Sequence, residues 1–258
     1  MSSGNGAGVN GALDVKSRLT RAGLAIRALR RRVDALGIRA VFASAIPAGT
    51  RLVYVDIGMH KRALQLRFVR DVFGKALNLR TIGFEAHPEY FRAAAAAIDP
   101  GANDSLHNLA VVGPGQGSTV RLNLNGGEGL GDSIVRATSD EAIDIGAVRL
   151  SDVLRTAGVD RSADIVILRM NIEGAEVLVL EDLVQSGLIP RIDGYYGYWD
   201  DPQKIGGDIA RRFNEIMSRT RIDNFPFNDR EFRSRVRLAA VKYDLTTTIL
   251  AALRKRAT

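Results

Sequence analysis

The chain has 258 residues, a net charge of +7 and no cysteine. That length suits one large core, so a single main domain is expected. The missing cysteines exclude disulfides and thiolate metal sites, and a cytoplasmic location is the expectation. No stretch approaches the roughly 20 apolar residues of a membrane span. Met1-Ser-Ser-Gly-Asn-Gly-Ala-Gly lacks the apolar centre of a signal peptide, so no membrane partner is expected.

Residues 1–12, rich in Gly, Ser and Asn, read as a disordered tail. Residues 13–45 read as an N-terminal helical extension. There Val15, Leu19, Leu24, Ile26, Leu29, Val33 and Leu36 recur at roughly helical spacing before Gly37. Such a stripe suits a cover for the main fold or a homodimer contact. Basic residues crowd 16–39, including Arg30-Arg31-Arg32, and the tail carries Arg254-Lys255-Arg256. Basic runs can serve nucleic acid. No aromatic residues interleave them as single-strand binding requires, so a solvated face is the simpler reading and nucleic acid is not the expected partner.

The main domain, 46–258, alternates strand and helix. Strands are predicted at 52–56, 81–85 and 105–112, with helices at 61–73 and 88–98. Residues 120–124 read as an extra strand or hairpin arm. A flexible glycine-rich loop follows at 125–131, and 126–133 is a candidate lid. Helices at 150–157, 175–185 and 208–220 accompany strands at 165–168 and 192–198. A closing pair of strands is predicted at 222–227 and 235–243. This order argues a Rossmann-like, doubly wound α/β sheet, mostly parallel, with an antiparallel strand at an edge.

Polar residues collect where the strands end. Val53-Tyr-Val-Asp-Ile-Gly58 runs an apolar strand into Asp56 and a glycine turn, the nucleotide-contact position of such folds. A carboxylate there repels phosphate. It suits a ligand with an ammonium group and no phosphate, such as S-adenosylmethionine; the alternative is an Asp that caps the next helix. Glu85, ending the second strand, suits the two hydroxyls of a ribose, or else favours the dipole of the following helix. In Val166-Ile-Leu-Arg-Met-Asn-Ile-Glu-Gly-Ala-Glu176, Asn171 and Glu173 follow a strand. Glu176 sits one turn further on, where it can pair with Arg169.

These segments resemble the FkbM-type S-adenosylmethionine-dependent methyltransferases. The likeness spans roughly residues 50 to 200. It rests on Val55-Asp-Ile-Gly58, Gly83-Phe-Glu-Ala-His-Pro88, Asn108-Leu-Ala-Val-Val-Gly113, Val148-Arg-Leu-Ser-Asp-Val-Leu154 and Ile167-Leu-Arg-Met-Asn-Ile-Glu-Gly-Ala-Glu176. It implies a class I methyltransferase sheet and methyl transfer to a hydroxyl, often on a sugar or natural product. Two departures stand out. The first loop is bulky, Gly58-Met-His-Lys-Arg62. Asn171 and Arg169 stand where the family has Lys-x-Asp, and Asn171 cannot act as a base.

On this reading Asp56, Gly58, Met59, Lys61, Glu85, Ala86, Asn108 and Ala110 hold the cofactor. Glu173, Asn171 and His60 face the reacting hydroxyl, Glu173 or His60 being the base. A Mg²⁺ could instead acidify the hydroxyl, with Asn171, Glu173, Asp200 and Asp201 as candidate oxygen donors. His87 and His107 are structural or close to the adenine. Gly194-Tyr-Tyr-Gly-Tyr-Trp-Asp-Asp-Pro202 joins aromatics to carboxylates, as a saccharide acceptor would want, or forms an aromatic core. The expected partner is a small-molecule or oligosaccharide acceptor. The rival readings are an RNA methyltransferase, favoured by the basic charge, and a degenerate methyltransferase fold that binds a partner, favoured by Asn171 and the bulky first loop.

Overall fold

The computed structural model describes residues 37–38, 50–125, 131–137, 139–159 and 164–257. The tail at 1–12, the extension at 13–45 (apart from Gly37 and Ile38) and loop residues 126–130 lie outside the described residues. Among those described, six strands make one parallel sheet. They are β1 (Arg51–Ile57), β2 (Asn78–Phe84), β3 (Asp104–His107), β7 (Ile165–Met170), β8 (Gly194–Gly197) and β9 (Asn224–Phe225). Their order is β3-β2-β1-β7-β8-β9, and every adjacent pair is parallel. A smaller sheet joins β4 (Ala110–Val112), β6 (Ala142–Arg149) and β5 (Thr119–Asn123), with β5 antiparallel to β6.

Side-chain alternation explains the layers. Along β1, Val53, Val55 and Ile57 face one core while Leu52 and Tyr54 face the other. The same split divides Val166, Leu168 and Met170 from Ile165 and Ile167 on β7. The first core is closed by α3 (Leu150–Thr156), α4 (Glu176–Gln185) and α6 (Gly207–Thr220). The second is closed by α1 (Leu64–Phe73), α2 (Pro88–Ile98) and α7 (Arg235–Ala257). A short α5 (Asp201–Ile205) precedes α6. The strands are buried on both sides, which is why they read as continuous apolar runs. No helix among the described residues is long and apolar enough to cross a membrane.

Several expectations are corrected. The large sheet has no antiparallel edge strand among the described residues; antiparallel pairing occurs in the small sheet, between β5 and β6. The strand predicted at 235–243 is the start of α7. Arg235-Val-Arg-Leu alternates like a strand, but Val241, Leu245, Ile249, Ala252 and Leu253 bury one helical stripe. The tie of α7 to the sheet is polar. Tyr196 donates to Asp244 Oδ1 at 2.6 Å, and Arg256 donates to the Asp164 carbonyl at 2.6 Å and to Asp193 at 2.8 Å.

The strand predicted at 105–112 is two strands in two sheets. The break falls at Asn108, whose Nδ2 donates to the carbonyls of Glu85 (2.9 Å) and Ala86 (3.0 Å). Strand β6 was not anticipated. The helix predicted from Lys61 begins at Leu64, after left-handed residues at His60 and Ala63.

One buried carboxylate joins β6, α3 and α4. Asp182 accepts from Arg149 Nε (2.6 Å), Ser151 N (2.7 Å) and Ser151 Oγ (2.8 Å), and it is fully buried. Asp182→Ala leaves those donors without an acceptor and is expected to cost about 3 kcal/mol. Urea unfolding followed by circular dichroism measures this; a change under about 0.5 kcal/mol would contradict the assignment.

Candidate active site

The large sheet reverses its winding between β1 and β7, so the helices that follow these strands pack on opposite faces and a crevice opens at the strands' carboxyl ends. A cavity of about 910 Å³ occupies this edge. Its lining follows the sheet order, with Glu85 and Ala86 beyond β2 and Gly58, His60 and Lys61 beyond β1. Asn171 and Glu173 follow β7, Tyr198 and Asp201 follow β8, and Arg230 and Arg233 follow β9. Leu109, Ala110 and Ile134 roof it from the small sheet and its connections.

The turns after β1 and β7 touch each other. Asn171 N donates to the Ile57 carbonyl at 3.0 Å. Gly58 has φ +83°, and a Cβ there would lie 2.3 Å from the Asn171 carbonyl oxygen, so only glycine fits. Two non-glycine residues at this edge are also left-handed, His60 at φ 57° and Glu173 at φ 55°. Such conformations persist only where surrounding bonds enforce them, and they cluster at functional sites.

The enforcing bonds are visible. His60 N donates to Glu85 Oε2 at 2.7 Å, and His87 N donates to Glu85 Oε1 at 3.0 Å. Glu176 reaches back to accept from Ile172 N and Gly174 N, both at 2.8 Å. Ser133 Oγ donates to the Glu173 carbonyl at 2.9 Å. Thus in Glu-Gly-Ala-Glu the second acid shapes the turn that presents the first.

The acids are tuned by burial. Glu85 is 8% exposed, and burial pushes its carboxyl up to about 7 despite its two N–H donors. Glu176 is fully buried and is likewise raised to about 7. Burial raises Glu173 as well, with Asp201 adding to the shift. Each is thus harder to ionise than a solvated carboxylate.

Asp56 stands apart from the cavity. It is fully buried, does not line the cavity, and pairs with Arg169 Nη1 at 2.8 Å. Burial pushes its carboxyl up, and Arg169 opposes that shift. A ligand ammonium cannot reach it. Met59 is also core, 1% exposed and packed against Gly83. Asn108 lies outside the cavity lining and acts by clamping the loop after β2. Glu176 does not pair with Arg169; it caps the β7–α4 turn. Gly58, Lys61, Glu85, Ala86, Ala110, Glu173, Asn171 and His60 do line the cavity.

The metal reading fits poorly. Asp200 and Asp201 are bound to Lys204 Nζ at 2.6 and 2.9 Å, and Asp200 lies outside the lining. No group of three or more His, Asp or Glu suited to a metal occurs among the described residues. Trp199 is core: it donates to the Met170 carbonyl and packs edge-on to Tyr195 and Phe213. Of the aromatic run only Tyr198 lines the cavity. His87 caps α2 through Nδ1, and His107 stacks on Phe84.

Sequence reasoning missed Tyr90, Asp229, Arg230 and Arg233. The available signal was Asn228-Asp-Arg-Glu231, a turn-forming run before a helix.

Comparison of the chain with family models, with curated proteins and with solved structures finds no match.

The pH dependence of Glu176 is testable. A carboxyl whose folded value is about 7 rather than 4.5 binds its proton more tightly when folded. Its contribution is therefore full below about pH 4.5 and is lost as pH rises through about 7. The unfolding free energy should fall between about pH 5 and 8, and less steeply in Glu176→Ala. That variant should also lose about 2 kcal/mol at pH 5, from two stranded N–H groups. Parallel curves for the two proteins would contradict the assignment.

Proposed function

We propose that this chain is an S-adenosylmethionine-dependent O-methyltransferase of the FkbM kind, acting on a hydroxyl of a sugar or glycosylated metabolite. The observation that carries the reading is Glu85. It follows β2, the neighbour of β1, lines the cavity, and is held by two backbone N–H groups with lone pairs still available. A fixed acceptor at that place suits the paired hydroxyls of a ribose. The Gly58 turn offers no G-x-G-x-x-G phosphate cradle, which favours a nucleoside cofactor without a pyrophosphate. The cavity volume suits a ligand of that size with part of an acceptor.

Gly58, His60 and Lys61 would border the amino-acid end of the cofactor, and Lys61 would complement its carboxylate. Leu109, Ala110 and Ile134 supply an apolar wall for the adenine. When bound, S-adenosylmethionine supplies an electrophilic methyl group. The chain must then position a hydroxyl and remove its proton. Glu173 Oε would accept that proton, because its raised affinity brings it closer to the range useful for a general base near neutral pH. Asn171 would orient the hydroxyl through its amide, and Tyr198 and Asp201 border the acceptor's side. No metal is required in this scheme.

Calorimetry with S-adenosylhomocysteine separates the two acids. Glu85→Ala should weaken binding at least about tenfold, while Glu173→Gln should bind within about twofold of wild type and lose turnover by about 100-fold. No binding to the unaltered protein at millimolar ligand would remove the proposal.

A further inference from the structure

The charges along the cavity are unevenly paired. Arg169 is neutralised by Asp56, Arg62 by Asp229 at 2.5 Å, and Lys204 by Asp200 and Asp201. Arg230 and Arg233 also line the cavity, yet neither makes an ion pair among the described residues. Both are exposed at its β9 end.

The loop that carries them is held in place. Phe227 is fully buried, stacks on Phe232 and meets Phe68 edge-on. Its carbonyl accepts from Arg169 Nε at 3.1 Å. Gln65 Nε2 and Arg62 hold Asp229 from α1 and the turn before it. Asn228 N donates to Glu231 Oε2 at 2.6 Å, and Arg230 N donates to Asn228 Oδ1 at 2.7 Å. The Arg230 guanidinium lies 5.0 Å from the centre of the Tyr198 ring, with Nη1 donating to its hydroxyl at 3.3 Å. The Arg230 guanidinium thus stands on a held backbone beside an aromatic ring, and Arg233 lines the same cavity, both following β9 while Glu85 follows β2. Planar guanidinium forks match carboxylate and phosphate oxygens.

We propose that Arg230 and Arg233 form an anion subsite that selects acceptors bearing a phosphate or carboxylate group. That the anion belongs to a methyl acceptor rests on the methyltransferase reading; the anion subsite itself does not. The saccharide would lie in the cavity with its anionic group at the two arginines and its hydroxyls toward Asn171 and Glu173, which line the same cavity.

The test uses the full chain and three probes, glucose 6-phosphate, glucuronate and glucose, titrated by calorimetry with and without S-adenosylhomocysteine. At least one charged probe should bind about tenfold or more tightly than glucose, and which one does separates a phosphate from a carboxylate source. Arg230→Ala with Arg233→Ala should abolish the preference while S-adenosylhomocysteine affinity stays within about twofold. Arg230→Lys with Arg233→Lys should keep part of it, because charge remains and the fork is lost. Near-ultraviolet circular dichroism checks that the variants fold.

Equal affinity for all three probes, or a preference that survives the double alanine variant, would overturn the subsite. So would a loss of S-adenosylhomocysteine affinity in its place, since the arginines would then serve the cofactor's carboxylate. An anion preference in a protein that does not bind S-adenosylhomocysteine would uphold the subsite and remove the methyltransferase reading.

Discussion

Arg169 and Asp56 form an ion pair that is almost wholly out of water, and the candidate site is assembled around it. Arg169 stands on β7 and Asp56 on the neighbouring β1. The same guanidinium also donates to the Gly58 carbonyl at 2.8 Å and to the Phe227 carbonyl at 3.1 Å. One side chain therefore fixes the turn after β1 and the loop after β9, two walls of the same cavity. Burial works against its charge, but Asp56 and Tyr54 outweigh that and hold the guanidinium's pKa up. Removing one partner of such a pair typically costs about 3–5 kcal/mol, whereas a well-packed apolar replacement can be neutral. The pair thus contributes position more than stability: an apolar pair would fill the space but leave the Gly58 and Phe227 carbonyls without their donor.

Positions fixed in this way allow strained residues beside them. His60 and Glu173 keep left-handed backbones because Glu85, Ser133 and Glu176 anchor the turns that contain them. The three carboxylates divide the work. Glu176 is consumed entirely by backbone N–H groups. Glu85 accepts from His60 N and His87 N and also lines the cavity. Glu173 is engaged through its backbone carbonyl, and the residue lines the cavity. The gradient from fully used to available matches the change from structural to chemical roles proposed for them.

The sequence made the architecture readable and left the roles of several acids ambiguous. Apolar runs bounded by glycine and polar turns located β1, β2, β7 and β8 because strands buried on both faces have a strong local signature. Pro88 and the alanine run located α2. The start of α7 reads as a strand because alternation over Arg235-Val-Arg-Leu matches one, and only the longer stripe from Val241 to Leu253 reveals the helix. Glu85, Glu173 and Gly58 line the cavity, and their places at strand ends are legible in the sequence. The separation of Asp56 from the cavity was not legible, because it depends on Arg169, which is adjacent only through sheet pairing. The Arg230 and Arg233 wall was hidden for the same reason: its closeness to β7 and β8 comes from a crossover, not from nearby sequence.

On the proposed reading, Glu85, at the end of β2 next to β1, receives the ribose of the cofactor. A crystal structure of the complex with S-adenosylhomocysteine tests it most directly. The ribose hydroxyls should lie within about 3 Å of the Glu85 carboxylate, with the adenine against Leu109 and Ala110 and the amino-acid end by Gly58 and Lys61. A nucleoside seated elsewhere, or a ribose beyond hydrogen-bond reach of Glu85, would contradict it.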